Sequence, residues 1–311
     1  MQRQSAVVAT IVMAGLVAVA VTAQDTGDPP TAQRQIGLPD DVAEIVRAFV
    51  PDDFEITDLQ QARISLGQDD PFTERVIRSV AVPAQARDGS EWLLVFGIDE
   101  ARSYMDSYHA TPREAGSLEF LRKRDFELSR DEVEAIAREF AVSRFPGSFE
   151  RLTLVRVSEP LPPAAGGFPL FSFRWEGRVS DRVRTGDRLI VKVSPNTGAV
   201  LMYDARPALD FDQDAVAISR DHATGLVRRL VEEAGIDPGE VRFGVTLTLS
   251  HPRIEDEGPA WEVAASRPGT APGNIRMLRR VVDARTGEML PPLGGSIFEA
   301  AFFRREDGRL D

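Results

Sequence analysis

The spacing of apolar residues divides the chain into a recurring order of one helix followed by several strands. Val42, Ile45, Val46 and Phe49 fall at helical spacing, the period that turns one stripe of a helix toward a core. Asp40 or Asp41 is the expected N-cap, and Pro51 closes the segment. A second stripe runs through Val133, Ile136, Ala137, Phe140 and Ala141 and ends by Pro146 and Gly147. Ser129 and Glu132 precede it at capping-box spacing, with Leu128 placed to staple onto Val133. A third stripe holds Ala223, Leu226, Val227, Leu230, Val231 and Ala234, stopped by Asp237, Pro238 and Gly239. Strands are predicted over 54–66, 76–82, 92–98, 152–157, 170–175, 241–249 and 260–264.

Two hairpins complete the pattern. Leu189, Val191 and Val193 alternate onto one face before the turn formers Pro195, Asn196, Thr197 and Gly198, and the strand resumes at Val200. Gly198 can take the positive φ that lets a short loop rejoin the sheet. A second such hairpin spans 281–290, with Gly287 in the place of Gly198, 89 positions on. The run Leu128, Ser129, Arg130, Asp131 recurs as Ile218, Ser219, Arg220, Asp221 at an offset of 90, as do Phe171 at Trp261 and Phe173 at Val263. Register held from helix cap to closing turn indicates an internal duplication. Residues 38–110 carry fragments of the same pattern but lack the Thr-Gly turn, so a degenerate third copy and an unrelated segment both stay open.

The expected fold class is therefore α+β: tandem units of one helix packed on a three- to four-stranded antiparallel sheet. The units are placed at 38–110, 128–207 and 218–292, after a signal peptide at 1–23 and a polar leader at 24–37, and before a C-terminal tail at 293–311. The Ser-Arg-Asp helix cap, the aromatic strand and the closing Val281, Val282, Asp283, Ala284, Arg285, Thr286, Gly287, Glu288 resemble PepSY domains. Those occur in propeptides of thermolysin-type secreted peptidases and in bacterial envelope proteins. The resemblance covers about 128–207 and 218–292, and its first copy departs from the pattern with Ser194 where the second has Asp283. It implies a protein-binding role, restraining or chaperoning a peptidase in trans, and brings no catalytic residues.

Composition narrows the setting. Arg3 followed by an apolar run over 6–21 and small residues before Gln24 reads as an export signal. Retained as an 18-residue anchor (Ala6 to Ala23), it would instead make the protein an envelope scaffold component held at the membrane. Either way the expected location is outside the cytoplasm, periplasmic or extracellular. There is no cysteine, so disulfides and thiol chemistry are excluded. A net charge of −12 argues against nucleic acid as a partner.

Candidate chemistry is thin. The chain has no His-Glu-x-x-His, no Gly-x-Ser-x-Gly and no phosphate loop, so no enzymatic activity and no cofactor are expected. Asp210, Asp212, Asp214 and Asp221 have spacing suited to calcium, but Ala215 stands where the loop needs glycine, and acid before a helix start is favourable anyway. His109, His222 and His251 fall at unlike positions, and 255–257 reads as a solvated acidic turn. The aromatic strands of Phe171, Phe173 and Trp261 belong to the core or, alternatively, offer an edge to a partner chain.

Overall fold

The structure, a computed structural model, describes residues 38–69, 76–99, 102–113, 125–160, 169–209, 215–269, 275–292 and 301–303. The signal segment, the leader, and Asp210, Asp212 and Asp214 of the calcium reading lie outside them. Helix α1 (Asp40–Phe49) leads into β1 (Phe54–Ile56), β2 (Arg63–Asp69), β3 (Val76–Ala86), β4 (Glu91–Asp99) and β5 (Tyr104–Pro112). Helix α2 (Arg130–Arg144) precedes β6 (Leu152–Ser158), β7 (Phe171–Ser180), β8 (Val183–Val193) and β9 (Val200–Arg206). Helix α3 (Arg220–Glu233) precedes β10 (Arg242–Thr248), β11 (Ala260–Pro268) and β12 (Ile275–Asp283). Among the described residues no helix is long and apolar enough to cross a membrane.

The expected tandem units on separate small antiparallel sheets do not form. All twelve strands join one mixed sheet, in the order β1-β3-β4-β5-β9-β8-β10-β11-β12, with β2 also on β3 and with β6 on β7 on β8. Two junctions do the merging. Strand β5, which the polar run around Asp106 and Ser107 hid from the sequence, pairs with β9 through Ser107↔Asp204, Tyr108↔Tyr203 and His109↔Met202. Strand β8 lies parallel to β10 through Leu247↔Val183 and Thr248↔Arg184. Each small sheet would have left rows of unpaired N–H and C=O groups, and fusing the sheets satisfies them.

One core consequently serves the first two segments. Val42, Val46 and Phe49 of α1 and Val133, Ala137 and Ala141 of α2 share a buried cluster with Val80, Leu94, Phe96, Phe173, Trp175 and Val191. Phe49 sits at its centre, its ring 4.9 Å from Tyr203, 5.7 Å from Phe140 and 5.9 Å from Tyr108. A second cluster packs α3 residues Ala223, Val227 and Val231 against Val245, Val263, Ala265, Leu278 and Val282. Phe302 of the tail is fully buried there, in a helical turn.

The two segments nevertheless share the geometry of their turns and helix starts. Gly198 and Gly287 have φ of 75° and 78°. The N–H of Gly198 donates to Ser194 O, and that of Gly287 to Asp283 O. Leu128 N–H donates to Pro195 O, matched by Ile218 N–H to Ala284 O, so each helix start is tied to its own turn. A side chain at Gly198 would press Ile136 and Leu128, and one at Gly287 would press Ile218. Ser129 caps α2 with a reciprocated bond from Glu132; Ser219 caps α3 by accepting from His222 N–H. Helix α1 lacks this device, since Pro39 occupies its N-cap position in place of Asp40 or Asp41.

Candidate functional site

The residues singled out from the sequence occupy structural positions. Phe171 and Phe173 are buried beneath α2, on a strand paired on both sides, by β6 and by β8. Trp261 lies on β11 between β10 and β12, with its indole N–H donating to Ile218 O at 2.7 Å. Neither strand is an edge, so neither can accept a partner strand. Asp221 sits in the first turn of α3. Among the described residues no group of three or more His, Cys, Asp or Glu is placed to hold a metal ion. The histidines stay apart on β5, on α3 and in the β10–β11 loop. Burial holds His109 below its usual pKa, with Lys192 adding to the effect and Asp204 opposing it. Burial lowers His251 to about 4, leaving it neutral, with Nδ1 accepting from Arg253 N–H at 3.2 Å.

Glu257 overturns the reading of 255–257 as a solvated turn. Its side chain is buried, with one carboxylate oxygen 2.8 Å from Arg102 and the other 3.6 Å from Arg206 and 3.2 Å from the Ser250 hydroxyl. These groups arrive from the β4–β5 turn, the end of β9 and the β10–β11 loop. Ser103, Asp256 and Glu257, the described non-glycine residues with positive φ, all lie at this point. Such backbone costs of order 1–3 kcal/mol per residue and persists where the surroundings enforce it. Gly186 in β8 passes so close that an added Cβ would stand 2.2 Å from Ser250 O. The cluster clamps the two cores together; an acidic run gave no hint of partners 155 and 51 positions away.

The sheet face opposite α1 and α2 carries a second anomaly. Arginines stand directly across from arginines at Arg156↔Arg174, Arg178↔Arg184 and Arg188↔Arg206. Like charges in that relation are destabilising. Buried Glu176 gathers Arg174 at 2.6 Å, Arg184 at 3.4 Å and Arg178 at 3.8 Å, and Asp204 takes Arg188 at 2.8 Å. Arg156, exposed on β6, has no ion-pair partner among the described residues.

Strand β6 pairs only with β7 among the described residues. Its outer side opens onto a cleft of about 350 Å³ lined by Arg130, Leu154, Val155, Arg156, Val157 and Glu159. A register shift between Leu154 and Arg156 puts a bulge at Val155. The strand contains no proline and a single charge, so little else blunts it. No protein-family model, no curated protein and no solved structure matches the chain.

Proposed function

We propose that the protein is a non-enzymatic, exported binding protein whose partner, another protein, adds a strand along β6. The supporting observation is the duplicate of that strand. By the 90-residue offset, β6 stands in the place of β10, from Leu152 at Arg242 to Ser158 at Thr248, although the bulge at Val155 shifts its pairing, with Val157 across from Phe173 where Leu247 is across from Trp261. Strand β10 uses the edge that β6 leaves open: Leu247 N–H donates to Arg182 O and Leu249 N–H to Arg184 O, both from β8 at 2.9 Å. By that offset the N–H of Val157, with that of Glu159 just past the end of β6, takes the place of these outward donors. Main-chain pairing of this kind supplies affinity, and flanking pockets supply selectivity.

The test removes the donors without touching the β6–β7 ladder. Proline at an outward-facing N–H is tolerated on an edge strand. Val157→Pro, alone and with Glu159→Pro, is expected to abolish co-purification of the envelope partner, whereas Val157→Ala, which trims the same core-packed side chain but keeps the N–H, is expected to retain it. Undiminished capture by the double variant sinks strand addition. Restraint or chaperoning of a peptidase in trans, the role implied by the PepSY resemblance, predicts that the captured protein is a peptidase slowed by the wild type.

A further inference from the structure

We infer that the segment received by β6 is acidic, with a carboxylate in the position directly across from Arg156; this rests on the strand addition proposed above. Across the sheet, the row through Arg156 continues as Arg174, Ile190 and Asp204. Arg156 thus has a like charge on its inner side, and its outer side faces the cleft. Arg130, the first residue of α2, lines the same cleft and likewise has no partner among the described residues. Two guanidinium groups without an ion-pair partner among the described residues flank the open edge, with Glu159 beside them.

The interior of the same face indicates what completes such an arrangement. Glu176 stands directly across from Arg188, and its carboxylate also draws in Arg174, Arg178 and Arg184. A partner residue paired to Arg156 would have its Cβ about 5 Å away, within reach of a bidentate contact between guanidinium and carboxylate. Side chains of an added strand return to one face at every second residue, so alternate acidic positions all meet this arginine face. A net charge of −12 repels polyanions at long range, so attraction is confined to this patch and to an occupant ordered enough to present its charges there.

Three short synthetic peptides test the inference by fluorescence anisotropy on the full chain. One alternates threonine and glutamate, the second has glutamine for every glutamate, and the third is acidic with a proline at every second position. The alternating acidic peptide is expected to bind about tenfold tighter than its glutamine counterpart, and Arg156→Gln is expected to erase most of that difference. Charge reversal by Arg156→Glu should transfer the preference to a threonine–arginine peptide. Equal binding of the first two peptides overturns the acidic preference and leaves strand addition standing. Equal binding of the proline peptide and the alternating acidic one overturns strand addition and keeps the acidic preference. Absence of all binding removes both. Arg156-dependent binding of phosphatidylglycerol vesicles or inorganic phosphate in place of the peptides assigns the patch to a phosphate group and overturns the inference.

Discussion

The segment from α2 to β9 and the segment from α3 to β12 share a local design and differ in how their edges are used. Both helices start on a capping serine, both turns hold a glycine with φ near 75°, and both tie the helix start to the turn by a main-chain bond. Even the bridge Val282↔Met289 reproduces Val193↔Val200. Yet β10 is paired on both sides and β6, among the described residues, on one. In the first copy Phe173 and Trp175 fill the core beneath α2; at the offset of 90 the second copy has Val263 and Ala265 there. Two strands at matching places in their segments thus differ, one using its outer edge internally and the other leaving it open among the described residues.

The comparison can be broken most forcefully at its junction. Glu257→Ala leaves half-buried Arg102 and Arg206 without their shared carboxylate and should cost about 2–3 kcal/mol, measured by urea unfolding. The loss should appear first as accelerated hydrogen exchange in β10 and β11. Exchange that accelerates equally in β3 and β4 argues against a clamp between two cores.

Acid should separate the copies next. His251 has its folded pKa lowered to about 4 by burial, against about 6.5 in an unfolded chain. Its stabilising contribution is therefore complete above pH 6.5 and is lost as pH falls from there toward 4, by roughly 2–3 kcal/mol. The offset places Leu161 at the matching position of the first copy, which cannot titrate. Exchange in α3 and β10–β12 should rise before that in α2 and β7–β9, and His251→Leu should flatten the pH profile.

The turns sharpen the likeness. Gly198→Ala and Gly287→Ala each force an L-residue into the left-handed region and should each cost about 1–2 kcal/mol by thermal unfolding. Gly198→Ala should be the worse of the two, because its Cβ would lie 3.1 Å from Ile136 against 3.3 Å from Ile218 for Gly287. A silent Gly287→Ala would show that the second turn is not held by the same contacts. The caps give the smallest effect. Ser129→Ala should lose about 1 kcal/mol and Ser219→Ala somewhat less, because His222 returns no side-chain bond of the kind Glu132 provides.

Local order was legible in the sequence because local chemistry sets it. The helix stripes, the Ser129 capping box and the glycine turns each depend on residues within a few positions of one another, and each is found where the pattern placed it. Strand β5 escaped because its buried residues, Tyr104, Met105 and Tyr108, do not alternate, and polar Asp106 and Ser107 stand between them. The merging of the sheets could not be read, since β5 meets β9 across nearly a hundred positions and nothing in either strand names the other. For the same reason Phe171, Phe173 and Trp261 were candidates for an edge they do not occupy. The open edge at β6, the arginine rows and the Glu257 clamp are all products of pairing register, which exists only once strands have found their neighbours.

The β5–β9 junction also fixes an order of events during synthesis. Tyr203 packs against Phe49, more than 150 positions earlier, and closes the sheet over α1. Chain growth delivers α1 and β1–β5 long before β9 exists, so a nascent chain halted after β5 presents that strand as a bare edge with Phe49 and Tyr108 uncovered. Closing so distant a contact is slow and leaves sticky surface exposed meanwhile. The N-terminal third of this protein thus depends on its own middle to become soluble, and a fragment ending near residue 113 should aggregate where one ending near 209 folds.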